Sequence, residues 1–185
     1  MNVQLSPGAA QGAPIQILRA TAEDSPHLWV WRNDELTRKM SVNSERVDRE
    51  AHEAWYQGLL ASLDRHLYIG LLDGVERVGV CRFDMESGNG RAEVSINLNP
   101  ACRGRRLSAA LLGAAMTRFR QEQGVNLSAR IKPSNIASIR CFTANGFVLV
   151  GGDADMAHYR YDYQPYTYRP SASRPQTWAG WHAKC

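Results

Sequence analysis

A short basic loop in the middle of the chain carries the clearest chemical signal. It spans residues 97–106, contains Pro100, Gly104 and three arginines, and follows an alternating segment typical of a strand. An apolar-periodic segment that predicts a helix begins at Leu107. A loop that joins a strand to a helix N-terminus presents backbone N–H groups and the positive end of the helix dipole to an anion. The loop therefore predicts a site for a phosphate or pyrophosphate that is held mainly by main-chain groups.

The composition of the chain narrows the classes of partner. The 185 residues include 22 basic and 18 acidic side chains, which gives a formal net charge of +4. This mild excess suits small anionic ligands, and no basic run with interleaved aromatic residues indicates a nucleic-acid surface. The four cysteines show no CxxC pair and no His/Cys spacing of a zinc site, so we expect no metal centre.

Three features favour a cytoplasmic protein that does not enter a membrane. Scattered single thiols are typical of a reducing compartment. The first 14 residues lack the basic and apolar regions of a secretory signal. No apolar run in the sequence reaches the length of a membrane span. Residues 1–14 are rich in Gly, Ala, Pro and Gln, which predicts a mobile leader.

The elements that must position the loop follow from hydrophobic periodicity and turn signals. Strands are predicted over 15–20, 67–72, 75–85, 91–98, 126–131, 147–150 and 159–163, and helices over 25–32, 48–63, 107–123 and 136–144. Gly124 suits the C′ position of the helix that follows the loop. This alternation of strands and helices predicts an α/β (α+β) domain over residues 15–163.

The last 22 residues, 164–185, contain three prolines and two tryptophans without clear periodicity. Two interpretations remain open for them. They form an irregular extension, or they form an arm that packs on a neighbouring subunit of a homodimer, because tryptophans rarely stay solvated without a partner.

A second motif follows the loop in the sequence and runs from Asn135-Ile136-Ala137-Ser138 to Gly146-Phe147. Together with the loop Arg103-Gly104-Arg105-Arg106-Leu107-Ser108, it resembles the GNAT N-acetyltransferase family. In that family the loop is Arg/Gln-x-x-Gly-x-Gly/Ala, and the second segment is N-x-x-[AS]-x-x-x-Y-x-x-x-G-F. The resemblance covers roughly residues 15–163. It implies an acetyl-CoA-dependent enzyme with a mixed sheet of about six to seven strands, flanked by about four helices and splayed in the middle to admit the coenzyme.

The resemblance assigns the coenzyme contacts to three places. The exposed backbone of the strand before the loop would pair with the pantetheine amides at Ile96 and Leu98, like an added strand. Asn135 would lie against the pantetheine, and Ser138 lies on the helix that flanks the coenzyme. The backbone of the loop would hold the pyrophosphate through Arg103, Gly104, Arg105, Arg106, Leu107 and Ser108.

Two positions depart from the family pattern. Arg106 stands where the loop has glycine, so binding would depend on Ser108, the remaining amides and added positive charge. Phe142 stands where many members have a tyrosine that protonates the departing thiolate, and phenylalanine has no transferable proton. We expect Phe142 and the neighbouring Cys141 to be packing residues.

Acetyl transfer to an amine requires a base, because a protonated amine has no lone pair. Glu93, on the strand before the loop, resembles in position a glutamate that many family members keep. We expect Glu93 to take the proton directly or through water. A surface glutamate without a catalytic role remains the alternative.

The N-terminal half is expected to supply the acceptor site. Its W-R-N … H-x-x-W pattern includes Trp31, Arg32, Asn33 and His52. The pattern resembles a GNAT branch that contains bacterial amino-sugar N-acetyltransferases and ribosomal-protein N-terminal acetyltransferases. These four residues are predicted to contact a sugar or its diphosphate. Core packing remains the alternative for the neighbouring tryptophans, and a helix-surface position for His52.

Three functions compete on this evidence. The first is an N-acetyltransferase that moves the acetyl group of acetyl-CoA to the primary amine of an amino sugar, by direct attack and without a metal. That acceptor would be an anionic nucleotide sugar of bacterial surface-glycan biosynthesis. The second function keeps the reaction and takes a protein N-terminus as acceptor. The third is an acyl-CoA-binding module with weak catalysis, which the departures at Arg106 and Phe142 motivate.

Overall fold

The computed structural model describes residues 14–88 and 90–163. Within these ranges the chain forms seven strands, five α-helices and two short 3-10 helices. The strands are β1 (Ile15–Arg19), β2 (Arg65–Leu72), β3 (Glu76–Glu86), β4 (Arg91–Leu98), β5 (Asn126–Ile131), β6 (Val148–Gly152) and β7 (Ala157–Tyr161). The α-helices are α1 (Ser25–Asn33), α2 (Glu35–Met40), α3 (Arg49–Leu60), α4 (Leu107–Gln123) and α5 (Ile136–Ala144). The predictions for residues 1–13 and for the C-terminal segment 164–185 lie outside the described residues.

All seven strands form one mixed sheet in the order β1-β2-β3-β4-β5-β7-β6. Neighbouring strands are antiparallel except for β4 and β5, which run parallel. A parallel pair needs a crossover connection, and α4 supplies it. The predicted fold class, a mixed sheet of six to seven strands flanked by helices, is confirmed.

The first helix, predicted over residues 25–32, ends at Asn33, and a second short helix that was not predicted, α2, follows Asp34. The backbone of Asp34 is not helical, with φ −57° and ψ 138°, and its carboxylate accepts a hydrogen bond from the backbone N–H of Thr37 at 2.9 Å. Asp34 thus ends α1 and caps the six-residue α2. As a result, five α-helices rather than about four accompany the sheet.

Two hydrophobic cores lie on opposite faces of the sheet. On the first face, α4 places Leu111 and Phe119 against Phe83 of β3 and Leu127 of β5, all fully buried. On the second face, α1 and α3 cover β2 and β3, and their core cluster reaches across the sheet as far as Val80. The second face therefore carries polar side chains on β4, β5 and β7, beyond the edge of this core.

β4 and β5 separate after a short parallel contact. Their pairing ends at Glu93 and Ser128, and within the described strands β4 continues to Leu98 without a partner on that side. On its other edge, β5 pairs with β7 from Leu127 to Ile131. The sheet is therefore splayed between the C-terminal halves of β4 and β5, as predicted. We call this opening the split.

The cysteines of the described ranges, Cys81, Cys102 and Cys141, are buried free thiols. In the same part of the chain, no group of three or more His, Cys, Asp or Glu side chains is placed to bind a metal ion. Across residues 14–88 and 90–163, no helix is both long and apolar enough to cross a membrane.

Candidate active site

The strand edge that faces the split belongs to alternate residues of β4. The backbone N–H of Asn99, just after β4, donates to the carbonyl of Val78 in β3 at 2.8 Å. Hydrogen-bonded residues alternate along an antiparallel pair, so the odd-numbered residues of β4 bond to β3. Ile96 and Leu98 consequently point their N–H and C=O groups towards the split, while their side chains pack on the α4 core. This free edge can pair with an extended amide chain, the role predicted for these two residues.

The loop before α4 leaves the N-terminus of that helix open. Gly104 and Arg106 both have positive φ angles, 76° and 59°. Arg106 is the N-cap residue of α4, and its side chain makes no capping hydrogen bond. The first amides of the helix, at Leu107 and Ser108, therefore lack a side-chain cap. An uncapped helix N-terminus of this kind suits an anion.

Two arginines of the loop before α4 form ion pairs with carboxylates of other elements. Arg105 forms two hydrogen bonds with the carboxylate of Glu76, at 2.6 and 3.0 Å, and this contact lowers the pKa of Glu76. Arg103 donates to the carboxylate of Asp34 at 2.5 Å and to the hydroxyl of Thr37 at 2.8 Å. The predicted coenzyme contacts of Arg105 are thereby limited to its backbone, and Arg103 already has one anionic partner.

The second motif forms the start of α5 beside α4. The side-chain oxygen of Asn135 accepts a hydrogen bond from the backbone N–H of Ser138 at 3.1 Å, which caps α5. Phe142 is buried and packs edge-on against Phe147, with ring centroids 5.0 Å apart. Burial raises the pKa of Cys141 to about 11. Phe142 and Cys141 are buried packing residues, as predicted, and the raised pKa of Cys141 disfavours the thiolate that a nucleophile requires.

Glu93 lies on the second face of the sheet, where the split begins. Both of its carboxylate oxygens accept hydrogen bonds from Nε of Arg130, at 3.1 and 3.2 Å. The side chain of Glu93 remains one-third exposed, so water and a ligand can still reach it. Its place at the split and its access to solvent suit the predicted role as a base.

A shallow groove of about 240 Å³ surrounds Glu93 on this face. Its lining includes the charged residues Glu86, Arg91, Glu93, Arg130 and Arg160, together with His158. Ser128 donates a hydrogen bond to Glu86 at 2.7 Å. Among the described residues, Nε of Arg91 is buried without a hydrogen-bond partner. Of these groups, only Glu93 was predicted from the sequence, although the alternation of polar residues in β5 and β7 is visible there.

The structure corrects the predicted acceptor contacts of Trp31 and His52. Both side chains are buried, with exposures of 4% and 3%. Trp31 belongs to the core that α1 and α3 form on the sheet. His52 donates from Nε2 to the carbonyl of Ser25 at 3.1 Å, and burial lowers its pKa. Neither the indole nor the imidazole can contact a substrate from these positions.

Asn33 and Arg32 bind the loop that follows α2. The amide group of Asn33 donates to the carbonyl of Val47 at 2.8 Å and accepts from its N–H at 2.9 Å. This use of both ends assigns Asn33 a structural role rather than the predicted acceptor contact. Arg32 donates to the carbonyl of Asn43 at 2.9 Å, but its Nη1 is buried without a partner among the described residues. Of the four predicted acceptor residues, Arg32 is the one with a buried side-chain donor that lacks a partner in the described ranges.

Comparison with known proteins places the chain in a family. Among curated proteins, no sequence matches it. The similar solved structures include a spermidine N-acetyltransferase from Vibrio cholerae in complex with CoA and spermine, 12% identical, with a TM-score of 0.73 over 80% of this chain and 95% of that one. The aminoglycoside acetyltransferase AAC(6')-Ib in complex with coenzyme A is 19% identical, with a TM-score of 0.68 over 80% and 94%. A putative phosphinothricin N-acetyltransferase is 24% identical, with a TM-score of 0.69 over 82% and 99%.

These structural similarities establish the fold, and the match to a family model establishes the family. The model described as Acetyltransferase (GNAT) domain matches residues 15–148, which is most of the chain. The predicted acetyltransferase class is thereby confirmed, and with it acetyl-CoA as the donor. The split, the open helix N-terminus and the family match agree, and the chain belongs to the GNAT acetyltransferase family.

Proposed function

We propose that the protein transfers the acetyl group of acetyl-CoA to the primary amine of a small anionic molecule, an amino sugar linked to a nucleotide. The observation that carries this proposal is the groove at the split. It combines one accessible carboxylate, Glu93, with the arginines 91, 130 and 160 on an open face of the sheet.

The coenzyme fits the unpaired backbone groups of this chain. The uncapped amides of Leu107 and Ser108 would hold its pyrophosphate, and the free edge at Ile96 and Leu98 would pair with its pantetheine amides. The left-handed backbone at Arg106 turns the chain into α4, and the arginine is exposed. Acetyl-CoA supplies an activated acetyl thioester at the split.

The residues on the second face then act on the acceptor. Glu93 accepts a proton from the ammonium group, directly or through water, which leaves an amine with a free lone pair. Arg130 holds the carboxylate in one orientation. The amine attacks the thioester carbonyl directly, without an acyl-enzyme on the buried thiol of Cys141. The C–N bond forms, the C–S bond breaks, and coenzyme A leaves as a thiolate that gains, through water, the proton that the nitrogen loses.

The charge of the acceptor side favours an anion over a polycation. A polyamine or an aminoglycoside requires a surplus of carboxylates around it, and the groove has no such surplus, because Arg130 and Arg160 are paired with Glu93 and Asp162. Arg91 has no ion-pair partner in the described chain, so it is the cation left for an anionic group. Outside the groove, Arg32 and Arg38 lie together near residues 43–44, and neither forms an ion pair within the described chain. The pKa of Arg32 is lowered mainly by burial and, to a smaller extent, by the positive charge of Arg38. A phosphate group would neutralise such a pair.

A panel of amines tests the acceptor class. Thiol release from acetyl-CoA would be followed with a nucleotide-linked 4-amino sugar, the matching uncharged amino sugar, spermidine, kanamycin and a ribosomal-protein N-terminal peptide. We expect the highest kcat/KM with the nucleotide-linked amine. Highest turnover with the peptide would establish the protein N-terminal acetyltransferase instead. Coenzyme binding without turnover of any amine would indicate a binding module.

Substitution of Glu93 tests the base. We expect Glu93→Gln to lower kcat by about 10²- to 10⁴-fold, the usual contribution of general base catalysis, while the affinity for acetyl-CoA changes little. The matched control is Asp84→Asn, which removes the carboxylate directly across from Glu93 on β3. Equal kinetics for Glu93→Gln and the parent enzyme would remove Glu93 from the mechanism.

A further inference from the structure

One hydrogen-bonded network ties the coenzyme loop to the short helix on the acceptor side. Nη2 of Arg103 donates to Oδ1 of Asp34 at 2.5 Å and to Oγ1 of Thr37 at 2.8 Å. The hydroxyl of Thr37 in turn donates to the side-chain oxygen of Asn97 on β4 at 3.3 Å. The network therefore joins three parts of the fold: the loop before α4, the start of α2 and the end of β4.

α2 lies across the opening of the split. Through Thr37 it contacts Asn97 at the end of β4. At its other end, the carbonyl of Lys39 accepts a hydrogen bond from Nζ of Lys132, just after β5, at 3.0 Å. The helix thus bridges the two strands that have separated, on the face that carries Glu93.

α2 has little besides polar contacts to hold it in place. It comprises six residues, and none of them is buried. A helix this short has little stability of its own, and without a buried apolar face its position depends on its hydrogen bonds. The ion pair between Arg103 and Asp34 is the strongest type of contact in the network, and it lowers the pKa of Asp34.

Arg103 has donors left for a second anion. Both of its observed hydrogen bonds use Nη2. A guanidinium carries five N–H groups in a planar fork, so Nε and Nη1 can serve another acceptor while Nη2 keeps Asp34. Arg103 belongs to the same loop as Arg106, the N-cap residue of α4, and lies three residues before it in the sequence. The coenzyme diphosphate is proposed to bind at that helix N-terminus.

We propose that Arg103 and Asp34 are positioning residues that couple the coenzyme site to the acceptor site. The guanidinium bridges the diphosphate of the coenzyme and the carboxylate at the start of α2, so coenzyme binding fixes α2 over the split. The acceptor site is then complete only after the coenzyme has bound. This inference rests on the coenzyme position given under the proposed function.

Hydrogen–deuterium exchange with coenzyme A tests the coupling without knowledge of the acceptor. In the parent protein, saturating coenzyme A should slow exchange at the start of α4 and also across residues 35–40. We expect the slowing in α2 to be at least about fivefold, the lower end of typical coupling between sites. In Asp34→Asn the slowing in α2 should be lost while that of α4 remains, because asparagine still caps α2 but lacks the charge.

Two further variants make the outcome specific. Arg103→Lys keeps the charge but lacks the planar fork, so it should lose the slowing in α2 as Asp34→Asn does. Glu76→Gln breaks the ion pair of Arg105 in the same loop, which does not contact α2, and should behave as the parent. Equal slowing of α2 in the parent and in Asp34→Asn would overturn the coupling. No slowing at the start of α4 in the parent would instead overturn the proposed coenzyme position, and the coupling with it.

Discussion

Arg106 holds a backbone conformation that residues other than glycine seldom adopt. Its φ and ψ angles of 59° and 25° lie in the left-handed region, where the Cβ atom approaches the following carbonyl oxygen. Glycine avoids this contact because it has no Cβ atom. The backbone of this chain thus explains the glycine of the family motif as a requirement of the turn into α4.

We expect Arg106→Gly to stabilise the protein by about 0.5 kcal/mol. The left-handed conformation costs an L-residue about 1–2 kcal/mol. Glycine recovers this energy but loses about 0.5–1 kcal/mol through the greater freedom of the unfolded chain. Urea unfolding of the parent and the variant measures the difference. The control is Gly104→Ala, at a φ of 76°, which should destabilise the protein; a destabilised Arg106→Gly variant would refute the strain.

Individual side chains were harder to predict than the motifs that contain them. The packing role of Phe142 followed from its residue type, since phenylalanine is apolar and has no proton to transfer. The roles of Trp31 and His52 did not follow, because a helical pattern alone does not say which face meets the sheet. The partner of Arg103 is Asp34, 69 residues earlier in the chain, and no local signal connects the two.

The pairing of β3 with β4 depends on a close approach at Gly79. A Cβ atom at this position would lie 2.6 Å from the backbone oxygen of Asn97 and 3.0 Å from Cα of Leu98. Backbone atoms cannot turn away as a flexible side chain can, so a methyl group would push β4 away from β3. The strand that would move is the one whose edge faces the split.

We expect Gly79→Ala to destabilise the protein by about 1–3 kcal/mol, the usual cost of overpacking, and to weaken binding of coenzyme A. The matched control is Gly58→Ala in α3, where a Cβ atom would meet no atom within 4 Å. That change should stabilise the protein by about 0.4–1 kcal/mol, because alanine restricts the unfolded chain. Urea unfolding and a coenzyme A titration compare the two; similar results for both variants would contradict the steric argument.

At the scale of elements, the helices and strands that could be predicted from the sequence are the ones with clear periodicity or turn residues. α4 ends as expected at Gly124, which has a φ of 61°. The end of α1 was predicted within one residue, but α2 was missed, because a six-residue helix without a buried face is too short to show a hydrophobic period. The final hairpin was placed within two residues, with β6 at Val148–Gly152 and β7 at Ala157–Tyr161. The groove could not be predicted without the strand order, because that order places β7 between β5 and β6.

At the scale of the whole molecule, two of the histidines in residues 14–88 and 90–163 are buried, at distant points. His52 lies between α3 and α1, and His66 lies on β2 against Phe119 of α4. Nδ1 of His66 accepts a hydrogen bond from Arg19 at 2.7 Å, with Glu122 and Asp64 as the nearby acidic groups. Burial lowers the pKa of both histidines, and Arg19 lowers that of His66 further.

These shifts make the stability of the fold sensitive to mild acid. Above the unfolded-state pKa of about 6.5, both imidazoles are neutral whether the chain is folded or not, so they add no pH dependence. Below it, the unfolded chain binds protons that the folded chain refuses, so the free energy of unfolding falls as the pH falls towards the lowered folded-state pKa. Each histidine contributes a slope of up to about 1.4 kcal/mol per pH unit in that window.

We expect His52→Gln and His66→Gln each to flatten this slope, and the double variant to flatten it most. Glutamine keeps a donor for the carbonyl of Ser25 and an acceptor for Arg19, so the variants remove the titration and retain the hydrogen bonds. Urea unfolding at pH 7.5, 6.5 and 5.5 measures the slope. His27→Gln, at an exposed histidine, is the control. A double variant as acid-sensitive as the parent would show that other groups set the acid limit of this fold, because neither imidazole would then contribute to it.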